Sequence, residues 1–207
     1  MSSKHDLDTP ALLLDLDRFE RNLHKMAAHA RQRRLGLRPH AKTHKCPDIA
    51  RLQIQAGASG ICTAKLSEAE VFAEHGLRGL LITTAVIGRH KIERAVRLAA
   101  LAPDTLFVVD HEANARDLSA AAQAAGVILQ VVIELCVGRR CGILPGAPAL
   151  ALAQAITRLP GLRFQGLQAY AGHASHTVGY AERRQVSAEA LGQALETRRL
   201  LERSGLE

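Results

Sequence analysis

The most chemically suggestive stretch of the sequence is the basic run RPHAKTHK at positions 38–45. If residues 35–42 form a strand, Arg38, His40 and Lys42 lie on one face, because side chains alternate along a strand. They would then sit at its carboxyl end, where α/β proteins bind ligands. A partly buried lysine beside other cations is disfavoured as an ammonium ion, so its free amine becomes a nucleophile toward a carbonyl. The pattern therefore favours a Schiff-base lysine or an anion-binding strand end.

The residues alone leave two questions about this stretch open. Lys65, which ends the run GICTAK at positions 60–65, is as good a candidate nucleophile as Lys42. His40 and His44 have the four-residue spacing of two metal ligands on one helix. Pro39 argues against a helix through both, so a metal pair is the weaker interpretation.

A second segment, ELCVGRRCG at positions 134–142, follows a long apolar run. An arginine just past its glycine could hold a carboxylate or a phenolate oxygen through its planar guanidinium. The alternative is a structural salt bridge between Glu134 and an arginine.

A third segment is GLQAYAGH at positions 166–173. Strand alternation places Gln168 and Tyr170 on one face. A tyrosine at a strand end can flank a flat cofactor or donate a proton, or it can simply pack. His173 and His176 are three residues apart, and we interpret them as part of a surface loop.

The elements that must position these residues alternate between two hydrophobic periods. Short apolar runs are separated by stretches with helical spacing, and they occupy residues 12–16, 35–41, 60–64, 80–83, 106–109, 127–135 and 164–170. Strands alternating with helices predict βαβ units and a parallel sheet, in a doubly wound or a barrel arrangement. A dinucleotide-binding domain is disfavoured, because no glycine-rich fingerprint follows the first run.

Helix boundaries are also encoded locally. Pro47 fits the first position of a helix. Ser67 followed by Glu70 has the spacing of a capping box that opens the next helix. The last helix is predicted over residues 186–203.

Composition excludes several classes. The chain has 207 residues with 47% hydrophobic and 23% charged side chains, which are ordinary globular values. No apolar run is long enough to span a membrane, and the N-terminus has no hydrophobic signal region. The net charge of +7 comes with 3% aromatic residues and no tryptophan, which disfavours a nucleic-acid partner. Four cysteines without C-x-x-C spacing are typical of a reducing, cytoplasmic compartment.

Four segments of the sequence together resemble a known family. TPALLLD at positions 9–15, RPHAKTHK, GICTAK and GLQAYAGH occur in the order found in the D-threonine aldolase and D-serine dehydratase family. These are fold type III pyridoxal phosphate enzymes related to the N-terminal domain of alanine racemase. The resemblance runs through nearly the whole chain.

The resemblance implies a pyridoxal phosphate site on a (β/α)8 barrel. It matches Lys42, and not Lys65, to the Schiff-base lysine. It matches Tyr170 to a position lining the cofactor ring and places His40 in the cofactor site.

The same resemblance assigns substrate contacts. Arg140 matches an arginine near the phenolic oxygen of the cofactor and the substrate carboxylate, and Gln168 is placed beside the substrate. The arginine segment departs from the family spacing, because Gly138 is two residues from Arg140 instead of three. Whether Arg139 or Arg140 takes the role is therefore open.

The implied reaction is cleavage of D-threonine and related D-3-hydroxy amino acids to glycine and an aldehyde. Alternatives on the same cofactor are a D-serine dehydratase, an amino-acid racemase and a non-catalytic carrier of pyridoxal phosphate. The resemblance also implies a homodimer. It further implies a divalent metal in a C-terminal domain, whose ligands are absent from this chain.

The resemblance predicts an incomplete barrel. Family members are nearly twice as long, so the last barrel strands and a C-terminal β domain are expected to be missing. The prediction is one domain, with residues 1–16 forming a strand outside the barrel and residues 35–207 forming the partial barrel. Open sheet edges would make such a chain unstable or weakly active alone.

Overall fold

A computed structural model describes residues 3–138 and 141–206. Five strands alternate with helices along this part of the chain. The strands are β1 Ile61–Thr63, β2 Leu80–Ile82, β3 Leu106–Val109, β4 Leu129–Leu135 and β5 Leu162–Ala169. The helices are α1 Leu16–Gln32, α2 Pro47–Gln55, α3 Leu66–Glu74, α4 Arg89–Leu101, α5 Glu112–Ala125, α6 Ala147–Thr157 and α7 Tyr180–Arg203. Short 3-10 turns cover Lys4–Asp6, Ala41–Thr43 and Gly172–His176.

The five strands form one parallel sheet in the order β1-β2-β3-β4-β5. Each neighbouring pair is parallel, and β4 and β5 share the longest register, with one bulge between Val131 and Val132. Sequential order with helical crossovers is the arrangement of successive βα units in a barrel. The sheet is open in the described residues, because β5 pairs only with β4. A groove of about 820 Å³ lies between β5 and α7.

The main core lies on one face of the sheet, where alternate strand residues such as Ile61, Phe107 and Ile133 belong to the same cluster as apolar helix residues. The internal strand β4 is buried along almost its whole length, as expected for a parallel strand covered on both faces. Phe72 of α3 and Phe107 of β3 are among the largest fully buried side chains. Small alanines on the helices allow close approach to the sheet, among them Ala69, Ala95 and Ala122.

Several sequence-based predictions are confirmed. The run 106–109 is β3, and Pro47 is the first residue of α2. Beyond these predicted features, the structure shows that Gly126 caps α5 in the left-handed conformation, which glycine adopts without steric cost.

Other boundaries were predicted wrongly. Helix α3 begins at Leu66 and has no side-chain cap, so the capping box from Ser67 to Glu70 is not formed. Helix α7 begins at Tyr180, six residues before the predicted start.

The segment 12–16 is also a correction. Helix α1 begins at Leu16 with Asp15 as its cap, and residues 11–15 form no strand. Within the described residues this segment has no partner strand to satisfy its backbone groups, and Leu12 is fully exposed. A strand needs a neighbour for its hydrogen bonds, so the segment stays irregular.

The predicted strand 35–42 is present only in part. Residues 37–40 run parallel to β1, where Ser59 N–H donates to Leu37 O at 2.8 Å and His40 forms an isolated bridge with Cys62. The chain then turns into the 3-10 segment Ala41–Thr43. The sheet therefore has five strands plus this edge segment. Among the described residues, no helix is long and apolar enough to cross a membrane.

Candidate active site

Lys42 lies on a tight turn at the carboxyl edge of the sheet. Its backbone N–H donates to His40 Nδ1 at 3.2 Å. The carbonyl of Ala41 accepts two backbone hydrogen bonds, from His44 at 3.1 Å and from Lys45 at 2.7 Å. Lys45 closes the turn with a φ of 49°, a left-handed conformation that non-glycine residues rarely adopt. Lys42 is thus presented by a turn and not, as predicted, by a strand.

The side chain of Lys42 is exposed and faces Tyr170. Its Nζ lies 6.0 Å from the centre of the tyrosine ring. Tyr170 follows β5 directly and is 54% exposed. The amine and the aromatic ring therefore approach each other across the sheet, although they are 128 residues apart in sequence.

His40 connects this turn to the neighbouring strands. Its Nδ1 accepts from the Lys42 backbone, so Nε2 carries the proton and donates to Thr83 Oγ1 at 3.3 Å. Thr83 in turn donates to Thr63 O at 3.0 Å. Burial lowers the pKa of His40, with a further lowering from the positive charge of Lys42 and an opposing effect from Glu68. His40 is therefore held as a neutral ring that orients the lysine turn.

The pH dependence of stability follows from His40 and His44. Burial is the main cause that lowers the pKa of both rings below the usual 6.5. The two rings therefore become protonated at a higher pH in the unfolded chain than in the folded chain. Because of this difference, the free energy of unfolding falls as the pH drops below 6.5. We expect denaturant melts from pH 7.5 to 5 to show this slope, and His40→Asn and His44→Asn each to reduce it. A slope that is unchanged in both variants would contradict this assignment.

Gln168 is half-buried near the carboxyl end of β5. Its side-chain amide donates to Thr83 O at 3.2 Å and to the carboxylate of Glu134. Glu134 is 6% exposed and sits opposite Gln168 in the β4–β5 register. These contacts join β4 and β5 to Thr83, the residue that follows β2. Whether Gln168 also contacts a substrate stays a prediction.

Two other cations that the sequence singled out point away from Lys42. Arg38 Nε donates to Gly79 O at 2.9 Å, just before β2 and so toward the amino end of the sheet. Arg38 therefore does not share a site with Lys42. The two residues were predicted to lie on one strand face, but the strand ends at the 3-10 turn that carries Lys42. Lys65 lines a separate small cavity with Lys91 and Arg94.

The arginine segment is only partly defined. Arg139 and Arg140 lie outside the described residues, so the role predicted for Arg140 and the choice between the two stay open. The flanking loop is ordered by two backbone hydrogen bonds that join Ile143 to Glu134 and Cys136, both within 2.9 Å. The ring of His173 packs near Gly138 on the same side. Among the described residues there is no group of three or more potential metal ligands.

The polar atoms near Lys42 are suited to a flat polar ligand such as pyridoxal phosphate. Gln168 Oε1 and His173 Nδ1 are buried without a hydrogen-bond partner. Buried polar atoms are normally satisfied by protein, water or ligand. An exposed amine facing an aromatic ring, with unsatisfied polar atoms close by at the same edge, fits a planar cofactor that binds covalently to the lysine.

The open parallel sheet with helical crossovers, and the exposed lysine at its carboxyl edge, point to a protein of the α/β-barrel class. Residues 14–205 match the family model described as "Alanine racemase, N-terminal domain". The chain therefore belongs to the alanine racemase N-terminal domain family, and its fold is that of an incomplete alanine-racemase-type barrel.

Individual relatives agree with this membership. The chain is 42% identical over 201 residues to D-threonine aldolase from Arthrobacter sp, covering 97% of this chain and 53% of the relative. Its structure matches D-threonine aldolase from Filomicrobium marinum with a TM-score of 0.96 at 45% identity, over 99% of this chain and 55% of that one. It also matches D-threo-3-hydroxyaspartate dehydratase from Delftia sp. HT23 with a TM-score of 0.87 at 31% identity, over 98% and 54% of the two chains. The chain thus spans about half the length of the relatives it matches.

Proposed function

We propose that this chain is the pyridoxal phosphate-binding part of a lyase that cleaves D-threonine and related D-3-hydroxy amino acids to glycine and an aldehyde. The observation that carries the proposal is the amine of Lys42 facing the ring of Tyr170 at the carboxyl edge of the sheet. Similarity to an aldolase over 97% of the chain supports the reaction class.

Three described residues would each have a separate role in binding the cofactor. Lys42 would hold the cofactor covalently through Nζ, which makes no hydrogen bond or ion pair to any described residue. Tyr170 would cover one face of the ring, and His40 would fix the turn that carries Lys42. When bound, pyridoxal phosphate supplies an electron sink for the bond broken at the substrate α-carbon.

Substrate contacts and the metal complete the proposal. The resemblance assigns Arg140 and Gln168 to contacts with the substrate. For Gln168 the assignment is supported by its Oε1 atom, which is buried without a hydrogen-bond partner. The resemblance also implies a divalent metal in longer relatives, and we assign no residue of this chain to it.

The main alternative is a dehydratase. It is favoured by the structural match to the Delftia enzyme. Both reactions would use the same lysine, so they are distinguished by their products and not by cofactor binding. Cleavage of 3-hydroxyaspartate releases glycine and glyoxylate, whereas its dehydration releases ammonia and oxaloacetate.

Product analysis tests the proposed reaction. The purified chain is supplied with pyridoxal phosphate and a divalent metal and incubated with D-threonine or D-threo-3-hydroxyaspartate. Glycine with acetaldehyde or glyoxylate supports the aldolase. Ammonia with the 2-oxo acid supports the dehydratase, and formation of the epimer at the α-carbon alone supports a racemase. Cofactor binding without any product supports a non-catalytic carrier and contradicts the lyase for this chain.

Two further properties belong to the proposal. Free thiols on all four cysteines support a reducing, cytoplasmic location. A homodimer is proposed from the resemblance, and sedimentation of the purified chain tests it.

A further inference from the structure

We propose that Glu68 is a positioning residue for Lys42, acting through the turn that carries the lysine. The inference rests on the proposed function only in giving Lys42 a cofactor to bind. It concerns a carboxylate near the lysine turn to which sequence analysis gave no role.

The first contact of Glu68 fixes the junction between β1 and α3. Its Oε2 accepts the backbone N–H of Ala64 at 2.8 Å, and its side chain is only 12% exposed. A hydrogen bond from a backbone N–H to a charged, largely buried carboxylate is stronger than one between neutral groups. The carboxylate is therefore held rigidly against the end of β1.

The second contact reaches the lysine turn. The other oxygen, Oε1, lies 3.6 Å from Lys45 Nζ. Lys45 is the residue with a φ of 49°, and its N–H donates to Ala41 O. The ion pair alone is weak, because the Lys45 side chain is 61% exposed. Its importance is its position, since it anchors a conformation that lysine does not favour.

The contact between Glu68 and Lys45 matters for Lys42 because no contact of the Lys42 side chain with a described polar group fixes its direction. Its long side chain makes no hydrogen bond or ion pair among the described residues, so its direction depends on the backbone of residues 41–45. That backbone is fixed at one end by His40 and at the other end by Lys45 and Glu68. Glu68 also acts electrostatically on this region, because its negative charge opposes the lowering of the His40 pKa.

The chain supplies a matched control two residues away. Glu70 lies on the same helix, is 25% exposed and pairs with Arg94. It has a comparable ion pair but makes no described contact with the lysine turn. Replacing Glu70 therefore tests the general cost of removing a carboxylate from α3.

The decisive experiment compares amide hydrogen exchange in Glu68→Ala and Glu70→Ala. We expect the amides of His44 and Lys45 to lose about tenfold or more of their protection in Glu68→Ala, and to keep it in Glu70→Ala. We also expect the NMR titration of His40 to move to lower pH only in the Glu68 variant. Equal effects of the two variants on both readouts would overturn the proposal. If Glu68→Ala does not fold, Glu68→Gln keeps an acceptor for Ala64 and tests the charge alone.

A second variant tests the route through Lys45. Glycine adopts a positive φ freely, so Lys45→Gly removes the ion pair and relieves the strain. The effects of Lys45→Gly and Glu68→Gln on the His44 amide should be non-additive if they share one path. Full additivity would contradict that path.

Cofactor labelling connects the anchor to function. Pyridoxal phosphate is added to each variant, reduced with borohydride, and the label on Lys42 is compared with that on Lys65. We expect the Lys42 share to fall in Glu68→Ala and to be retained in Glu70→Ala. If the unmodified chain takes no label at Lys42, the proposed function fails, while the exchange data still decide the role of Glu68.

Discussion

Replacement of Lys42 by alanine is expected to abolish specific capture of pyridoxal phosphate. The amine is the only described nucleophile that faces Tyr170, and its loss removes the covalent attachment. We expect apparent affinity to fall at least about a hundredfold, equivalent to about 2.8 kcal/mol. The measurement is the absorbance band of bound cofactor during titration of the purified variant.

The matched control for this variant is Lys65→Ala. Both side chains are exposed, so neither change should move the free energy of unfolding by more than about 0.5 kcal/mol. Lys65→Ala should bind the cofactor as the unmodified chain does. Equal loss in the two variants, or loss only with Lys65→Ala, would contradict the assignment of Lys42.

Gly60→Ala is expected to be the most disruptive small substitution in the fold. Gly60 has a φ of 155°, and a Cβ there would lie 1.9 Å from Gly79 O. That carbonyl accepts hydrogen bonds from Ile61 N and Arg38 Nε. Overpacking and loss of these bonds should destabilise the chain by about 3 kcal/mol or more. Chemical denaturation with circular dichroism measures the change.

Replacement of a second glycine by alanine is expected to have the opposite effect on stability. Gly192 lies inside helix α7, and a Cβ there meets no atom within 4 Å. Gly192→Ala should stabilise the chain by about 0.5–1 kcal/mol, since alanine is the better helix former. Destabilisation by Gly192→Ala, or a neutral Gly60→Ala, would show that the packing around these glycines differs from that described.

The parts of the fold set by local sequence were predictable. Buried parallel strands appear as continuous apolar runs, so β3 was located to the residue. Pro47 marked the start of α2 because its missing N–H costs nothing there. The order of strands and helices was enough to predict a parallel α/β fold.

The parts set by competition between contacts were not predictable. Ser67 was predicted to cap α3, but the carboxylate of Glu68 binds Ala64 N–H, and the helix starts at Leu66, two residues earlier than a Ser67 cap implies. The strand ending at Lys42 was overextended, because the left-handed Lys45 closes a turn there. The signal for Glu68 was an acidic residue in the first turn of the helix that follows β1.

The choice between Lys42 and Lys65 shows what tertiary structure adds. Their types and neighbours left them equal, and only the resemblance separated them. In the structure Lys42 faces Tyr170, which follows the last strand of the sheet, whereas Lys65 lines a small cavity with Lys91 and Arg94. Local spacing contains no information on contacts between residues so far apart in sequence.

The most direct test of the central claim is to map the lysine that binds the cofactor. The purified chain is mixed with pyridoxal phosphate, reduced with borohydride, digested and analysed by mass spectrometry. We expect one modified peptide, with the label on Lys42. Label on Lys65, or label distributed over all six lysines, would contradict a pyridoxal phosphate site at Lys42.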